Sequence, residues 1–472
     1  MSLSRSIGSR SIGRRALLQA AGAGLLAMPA LAAVQPHTAD HDWHALAKDV
    51  KAEMAWAWAQ YAKHAFGRDQ IKPVSGQGES FFFKDRDLGL SIVEALDTLW
   101  VMGLDAQFEQ GVNWTLKNLR FDIDADIQLF ETSIRLVGGL LSAHHASGDK
   151  RLLDLAQDLA ERLSPAFTKS PTGMPYRFVN LKTGAVRDPV SNPAEVGSYL
   201  PEWGTLSRLV GDKRFYDLPK AATKAMFDRR SSIDLLADTI NVETGKWMNR
   251  RATIGPLADS YYEYLWDGWQ LFGDADSKRW YDVCTKAILK YQQDWFQGRL
   301  WFAHVDFETG KKMDTKQTEL DAFYGGLLGQ GGAMREGRAY TLSWSAVQDK
   351  FGIIPEGFDY ASFTATAPSN ALRPELADAA FNLWLLDQDP LWRRIGRTHF
   401  LNMKTYNKTK YGFSGIKNLH PRPMTLDDSC PGYWWSEQMK YYYLLFSDTP
   451  RFDYKTNYLS TEGNVLLGFK KS

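Results

Sequence analysis

Apolar residues recur at helical spacing along much of the chain, and short joints separate the helix-like segments. Segment 129–146 is apolar at this spacing and ends at Gly148 and Asp149. Glycine suits a helix C-cap, and aspartate can cap the helix that follows. That next segment, 151–160, is again apolar at helical spacing. The pattern therefore predicts pairs of helices, one inner and one outer, joined by tight turns.

The joints recur at a nearly regular interval of about 60 residues, and a period of this length is a signal of architecture. One joint is degenerate, and it lies where a longer interval divides into two shorter ones. The joints are Gly103-Leu104-Asp105, Gly148-Asp149, Gly211-Asp212, Gly273-Asp274, the degenerate Gly331-Gly332 to Gly337 stretch, Asp387-Gln388-Asp389 and Ser447-Asp448. Each is expected to link an inner helix to an outer one, which predicts about seven helix pairs.

A second recurring piece follows several of the predicted outer helices. It runs from Asn180 to Gly184, from Asn241 to Gly245 and from Asp306 to Gly310, and β-prone residues flank it. Glycine supplies the positive φ that a tight hairpin turn needs. We therefore expect a short β-hairpin between one helix pair and the next.

Helix pairs that each bury one face must stack on neighbours, either as an open solenoid or as a closed ring. Two features favour the ring. The inner segment 92–102 is apolar nearly all round, and the last helix, 441–446, lacks the polar face that a solenoid cap needs. We predict an all-α toroid, a barrel of about seven helix hairpins in one domain.

The composition indicates which kinds of partner this barrel can bind. The net charge of +1 gives no support to a nucleic-acid partner. The chain holds 17 Trp, 20 Tyr and 25 Phe, which either line a sugar-binding cleft or fill a large core. Only Cys284 and Cys430 are present. The fold therefore does not depend on a disulfide framework, and whether the two pair is left open.

The N-terminus has the pattern of a targeting segment. Arg14-Arg15 precedes an apolar run of small residues that ends at Ala30-Leu31-Ala32. This is typical of a twin-arginine signal peptide over residues 1–33, with a single domain over 34–472. The apolar run is too short for stable membrane insertion. We expect export in a folded state to the periplasm or the medium, as a monomer.

Most predicted inner helices carry a carboxylate well before their joint. Inner helices of a closed ring run in one direction, so these acids should collect at one mouth of the barrel. Buried carboxylates are costly unless they are paired or functional, and such a ring suits glycoside hydrolysis or the binding of a hard cation. The acids are Glu94, Asp97, Glu131, Glu195, Glu202, Asp259, Glu319, Asp321, Glu375 and Glu437.

Two arginines lie beside these acids. Arg135 follows Glu131 by four residues, on one helix face, where it forms either a structural ion pair or part of a site. Arg373 precedes Pro374 and Glu375, and proline there suits a helix start.

Taken together, several ordered segments resemble the class I α-1,2-mannosidases, glycoside hydrolase family 47. The resemblance spans roughly residues 85 to 465 and rests on the order and spacing of the segments. They are 91–100, 130–135 with 138–143, 173–176 with 179–181, 194–198, 259–265, 372–375 and Thr461-Glu462.

The resemblance implies an (α/α)7 barrel plugged at one end by a β-hairpin. It also implies a Ca²⁺-dependent, inverting and exo-acting hydrolase that removes α-1,2-linked mannose from an oligomannose or mannobiose-type glycan. By resemblance, Glu131 is the general acid, acting through a water, and Glu375 is the general base. Asp259 is the third catalytic carboxylate, and which of Glu131 and Asp259 carries the acid role stays open. An inverting pair of carboxyls should lie roughly 6.5–9.5 Å apart.

The resemblance also assigns binding roles. Thr461 is expected to bind Ca²⁺ through its carbonyl and hydroxyl oxygens, with Glu462 holding calcium-bound water. The residues expected to bind substrate are Arg135, Glu195, Arg373, Glu437 and Glu319.

The sequence departs from the family pattern in three places. Glu319 stands where many members have histidine, so its part in substrate binding involves a different side chain. The segment 427–433 before the last inner helix differs from the usual one, and Ala322 falls where eukaryotic members have a cysteine. Substrate preference beyond the terminal mannose can therefore differ.

Two other readings stay open at this point. One is a mannose-glycan binding protein of the same fold without hydrolytic activity. The presence of Glu131, Asp259 and Glu375 argues against it, because a lectin has no need of all three. The other is an α-toroid enzyme of a different class, such as an endo-glucanase or a polysaccharide lyase. A lyase for uronic acids should have a basic cleft, and the acidic mouth does not match.

Overall fold

The computed structural model describes residues 42–448, 451–453 and 457–467. The predicted signal peptide, 1–33, lies outside them. In chain order the helices are α1 (Trp43–His64), α2 (Leu90–Val101), α3 (Asp105–Asn118), α4 (Leu129–Glu131), α5 (Gly138–Ser147), α6 (Lys150–Leu163), α7 (Pro165–Thr168), α8 (Pro193–Gly197), α9 (Leu200–Val210), α10 (Arg214–Phe227), α11 (Asp259–Phe272), α12 (Ala275–Tyr291), α13 (Tyr324–Gln330), α14 (Met334–Phe351), α15 (Glu375–Asp387), α16 (Pro390–Tyr406) and α17 (Met439–Phe446).

Three inner helices contain irregular turns. A π-helical segment, Thr132–Val137, joins α4 to α5, and a second, Trp434–Gln438, leads into α17. A 3₁₀ segment, Glu319–Phe323, leads into α13. The inner helices are α2, α4 with α5, α9, α11, α13, α15 and α17, and each packs on an outer helix. The predicted (α/α)7 barrel is confirmed.

The seventh pair closes the ring differently from the prediction. The Ser447-Asp448 joint was expected to lead into an outer helix, but the outer partner of α17 is the N-terminal helix α1. Trp43 of α1 stacks on Phe446 with ring centroids 5.9 Å apart, and Trp58 meets Trp435 edge-on at 6.3 Å. A ring can be cut at any point, and here the outer helix of the seventh pair precedes the first inner helix in the sequence.

The joints have the caps that the sequence predicts. Gly148 and Gly273 adopt left-handed φ values of 70° and 66°, which favour glycine. The side chains of Asp149, Asp274 and Asp389 each accept a hydrogen bond from the backbone N–H two residues further on. These caps stop each inner helix and start the outer one within a few residues.

Short antiparallel strands connect the helix pairs. They are β1 (Gln70–Lys72), β2 (Gln77–Glu79), β3 (Asp126–Gln128), β4 (Phe178–Asn180), β5 (Val186–Arg187), β6 (Val190–Ser191), β7 (Ile240–Asn241), β8 (Lys246–Trp247), β9 (Arg251–Ala252), β10 (Gln293–Phe296), β11 (Arg299–Phe302), β12 (His304–Asp306), β13 (Lys312–Asp314), β14 (Lys316–Thr318), β15 (Gly357–Asp359), β16 (Thr364–Ala367), β17 (Ile416–Asn418), β18 (Thr425–Leu426), β19 (Tyr458–Leu459) and β20 (Val465–Leu467).

Four three-stranded sheets share one design: β3-β4-β5, β6-β7-β8, β9-β12-β13 and β14-β15-β16. In each, a strand that leads into an inner helix pairs with the hairpin that follows the outer helix of the same pair. The three predicted hairpins are confirmed as β4-β5, β7-β8 and β12-β13. In their turns Asn180, Asn241 and Asp306 accept hydrogen bonds from the N–H groups two and three residues on.

The C-terminal hairpin β19-β20 lies among the inner helices and forms the plug. The N–H of Val465 donates to Asp97 on α2 and to Ser142 on α5, both at 3.0 Å. Behind it, the fully buried Lys440 contacts Asp97 Oδ1 at 2.7 Å and donates to the carbonyl of Gly463. This buried ion pair fixes the turn of the hairpin, which carries the residues 461–462.

Most of the aromatic excess fills the core. Eight Trp side chains, almost half of the 17, are among the largest fully buried ones, and no Trp lines the cavity described below in the part of the chain that the structure describes. Cys284 and Cys430 are both buried and unpaired, so no disulfide forms between them. Within the same residues, no helix is both long and apolar enough to cross a membrane.

Candidate active site

A cavity of about 330 Å³ opens at the end of the barrel where the inner helices begin. Its walls combine carboxylates, two arginines and a few apolar side chains. The lining residues are Phe130, Glu131, Ile134, Arg135, Asn192, Ala194, Glu195, Pro256, Leu257, Asp259, Ser260, Glu263, Leu320, Phe323, Arg373, Glu375, Asp378, Tyr433, Glu437, Thr461 and Glu462.

The structure brings the three predicted catalytic carboxylates to this one cavity. Glu131 ends α4, while Asp259 and Glu375 are the first residues of α11 and α15. The three lie far apart in the sequence and meet only because inner helices of the ring start on the same side. Of the other acids predicted at this mouth, Glu94, Asp97, Glu202, Glu319 and Asp321 are buried outside the cavity lining.

Arg135 joins three carboxylates on one wall. Its Nε lies 2.6 Å from Glu131 Oε2, and its Nη1 lies 2.7 Å from Glu94 Oε1 and also contacts Glu462. Burial alone would lower the pKa of this guanidinium, but the three carboxylates outweigh it and raise the pKa. The ion pair that the four-residue spacing predicts is present, and it is part of a larger network.

Arg373 and Glu375 form the facing wall. Arg373 Nε lies 3.2 Å from both carboxylate oxygens of Glu356, so this guanidinium is bound from behind. Glu375 is half-buried, and burial of its carboxyl raises its pKa to about 8, with Arg373 lowering it and Glu356 and Asp259 raising it further. Its Oε2 has no hydrogen-bond partner among the residues that the structure describes. This oxygen is buried from solvent, whereas the Glu375 side chain as a whole borders the cavity.

Asp259 lies between these walls. Burial raises its pKa to about 7; the N–H of Ser260, which donates at 3.0 Å, lowers it, and the charge of Asp321 raises it. A carboxyl with such a pKa exchanges protons near neutral pH, which suits acid–base chemistry.

The other predicted sugar-binding acids have different surroundings. Glu195 lines the cavity and pairs with Arg177, whose Nε lies 2.6 Å away, and burial still raises its pKa. Glu437 lines the cavity floor, where burial and then the charges of Glu462 and Glu375 raise its pKa.

Glu319 is placed differently from the rest of the predicted set. It is fully buried, its Oε2 accepts a hydrogen bond of 2.7 Å from Asn370, and the next residue, Leu320, lines the cavity instead. Burial raises its pKa well above the usual value, and the charges of Glu356 and Glu375 raise it further. Glu319 therefore lies behind the Arg373–Glu375 wall.

The sequence analysis missed two acids of the cavity, Glu263 and Asp378. Glu263 follows Asp259 by four residues on α11, and Asp378 follows Glu375 by three on α15. Residues at these spacings share a helix face, so helical periodicity from the catalytic acids could have found both. Tyr433 was also missed; its ring lies 5.6 Å from the Arg135 guanidinium and 5.2 Å from that of Arg373.

The cavity floor suits a hard cation. Eight carboxylates and two arginines line the cavity, and Thr461 Oγ1 lies 2.8 Å from Glu263 Oε1. The raised pKa values of Glu263 and Glu437 come mainly from burial and secondly from neighbouring acids, a strain that a bound cation would relieve. All the donors are oxygens, as Ca²⁺ prefers. Within the described residues no three acidic, His or Cys side chains converge to hold a metal directly, so water ligands would be needed.

Paired carboxyls in an acidic cavity are typical of glycoside hydrolases. The comparisons with known proteins are more specific. The model of Glycosyl hydrolase family 47 matches residues 53–467, and the chain belongs to this family. It is therefore a glycoside hydrolase.

Two relatives agree with this assignment. The chain is 34% identical to alpha-mannosidase I MNS5 of Arabidopsis thaliana over 87% of this chain and 75% of that protein. It is 32% identical to human mannosyl-oligosaccharide 1,2-alpha-mannosidase IB over 86% of this chain and 67% of the relative. The structure of alpha-1,2-mannosidase from Trichoderma reesei superposes with a TM-score of 0.82 at 22% identity, covering 90% of this chain and 99% of that one. This last likeness supports the fold.

Proposed function

We propose that this protein is a Ca²⁺-dependent, inverting exo-α-mannosidase that releases terminal α-1,2-linked mannose from oligomannose-type glycans. One observation carries the proposal: Glu131, Asp259 and Glu375 line one cavity with Thr461 at its floor. Related proteins of the same family have the name mannosyl-oligosaccharide 1,2-alpha-mannosidase.

The proposed reaction needs one base and one acid. In its ionised form, Glu375 accepts a proton from a water as that water's oxygen attacks the anomeric carbon of the terminal mannose. The bond from that carbon to the glycosidic oxygen breaks, and this oxygen receives a proton through a second water held by Glu131. The products are free mannose with inverted anomeric configuration and a glycan with a new hydroxyl.

The remaining residues bind and orient. Arg135 fixes the Glu131 carboxylate, and Arg373 lies beside Glu375. Glu195 and Glu437 offer acceptors for sugar hydroxyls, and Asp259 is the third carboxylate around the reacting carbon. Thr461 would hold Ca²⁺ with water ligands kept in place by Glu462 and Glu263. When bound, the ion would supply positive charge beside the ring hydroxyls of the mannose.

The export route is a separate part of the proposal. The Arg14-Arg15 segment with its small-residue cleavage site supports delivery by the twin-arginine route to the periplasm or the medium. Replacing both arginines by lysine should retain the protein in the cytoplasm, and unchanged export would contradict this route.

The test of the activity is linkage-specific release of mannose. The purified protein with Ca²⁺ should release mannose from α-1,2-mannobiose and not from the α-1,3 or α-1,6 isomers. Binding of all three without release would favour a lectin of the same fold. Release from the α-1,6 isomer alone would overturn the proposed linkage.

A further inference from the structure

The segment 80–90 carries three consecutive phenylalanines beside the cavity. Phe82 and Phe83 are partly buried and pack against the core. Phe81 is 42% exposed and is one of the few large apolar side chains on the surface. Its ring meets Phe82 edge-on, with centroids 4.9 Å apart. The neighbour therefore supports the ring while leaving part of it open to solvent.

One buried carboxylate fixes this segment at both ends. Asp69 Oδ2 accepts the N–H of Phe81 at 2.9 Å, and its Oδ1 accepts the N–H of Leu88 at 2.7 Å. Arg68 adds a contact from its Nη2 to Ser80 Oγ at 3.1 Å. Because these hydrogen bonds hold the backbone, the ring would lose little conformational freedom on binding a ligand.

Phe81 lies near the part of the cavity that holds Glu131, the predicted acid. The centroid of its ring lies 5.9 Å from the guanidinium carbon of Arg135, and that guanidinium holds Glu131 at 2.6 Å. Phe81 does not line the cavity and is 42% exposed, so its ring lies at the surface next to Arg135. Glu131 serves the leaving group in the proposed reaction, so the rest of the glycan leaves the cavity on this side.

We propose that Phe81 is a platform for the glycan, packing its ring against the pyranose face of a sugar that lies beyond the cavity. This inference rests on the proposed function and deepens it. The flat ring face suits the C–H groups of a pyranose, whereas the polar rim of Arg135 and Glu131 suits its hydroxyls. Phe81 thereby favours longer glycans over disaccharides.

The test compares substrates of two lengths. For Phe81→Ala, KM for an oligomannose with a terminal α-1,2-mannose should rise about 3- to 10-fold, with kcat within about twofold. KM for α-1,2-mannobiose should change by less than about twofold. Phe81→Tyr should keep the oligomannose KM near the wild-type value. Phe81→Leu should raise it, because leucine has no flat face. Trp295→Ala is the matched control: this residue is 48% exposed and lies outside the cavity lining, so both KM values should stay unchanged.

The outcomes separate this inference from the proposed function. An unchanged oligomannose KM in Phe81→Ala would overturn the platform. An equal loss of kcat on both substrates would also overturn it, because Phe81 would then act only by supporting Arg135. If the wild-type protein releases no mannose from either substrate, the proposed function itself fails.

Discussion

The two walls of the cavity carry the same pair of side chains, an arginine and a glutamate, but hold them differently. On one wall Arg135 binds Glu131 directly, together with Glu94 and Glu462. On the other, Arg373 is bound by Glu356, and Glu375 keeps an unpartnered oxygen among the described residues. The difference indicates that Glu131 is fixed by a direct ion pair, whereas Glu375 borders the cavity and forms no such pair among the described residues.

The largest effect is expected at Glu375, a carboxylate that forms no ion pair among the described residues. Glu375→Gln should lower kcat by about 100- to 10,000-fold, because an amide cannot accept the proton of the attacking water. Binding of α-1,2-mannobiose, measured by calorimetry, should persist because the amide keeps the shape of the site. Turnover close to that of the wild type would show that the base is misassigned.

The roles of Glu131 and Asp259 can be distinguished with substrates whose leaving groups differ in their need for a proton. Glu131→Gln should lower kcat on mannobiose by about 100-fold or more, but should have a much smaller effect on α-mannosyl fluoride. Fluoride leaves with little need of protonation, so only the glycan requires the acid. Asp259→Asn should slow both substrates to a similar degree. The reverse pattern between the two variants would transfer the acid role to Asp259.

Removal of the cation should weaken both activity and stability. Burial raises the pKa of Glu375 from 4.5 to about 8 and that of Asp259 from 3.8 to about 7. The folded protein therefore binds more protons than the unfolded chain between about pH 4 and 8, and its stability falls as pH rises through this range. Ca²⁺ would offset the carboxylate charge, so it should raise the melting temperature more at pH 8 than at pH 5. An equal melting temperature with Ca²⁺ and with chelator at pH 8 would contradict a calcium site.

A smaller effect is expected behind the base wall. Glu319→Gln keeps the hydrogen bond from Asn370 and replaces a carboxyl whose charged form burial already disfavours. The pH profile of kcat/KM should therefore shift by less than one pH unit, with KM nearly unchanged. A large rise in KM would mean that Glu319 contacts the sugar, as the family resemblance implies.

Local rules made much of the fold predictable. The caps at Gly148 and Asp149 and the hairpin turns at Asn180 and Asn241 depend on residues close in sequence, and all were confirmed. The pairing of α1 with α17 was not predicted, because it joins the first described helix to the last one and leaves no local signal. The same limit applies to Glu319, since only packing around Asn370 decides which way its side chain points.

The candidate site also combines features that local sequence predicts with features that only distant contacts decide. Helical direction predicted a shared mouth for Glu131, Asp259 and Glu375, and the family resemblance ranked them above the other acids. Two features of the site arise from contacts between three elements of the fold. They are the π-helical turn after Glu131 and the ion pairs of Arg135 with Glu94 and Glu462. No spacing within one helix contains that information.

The most direct test of the central claim is NMR of the first mannose released from α-1,2-mannobiose, recorded before mutarotation with Ca²⁺ and after thorough chelation. A water activated by Glu375 opposite the leaving group must invert the anomeric carbon. The account predicts β-mannose as the first product with Ca²⁺ and no product with the chelator. Initial α-mannose, or turnover that survives chelation, would contradict it.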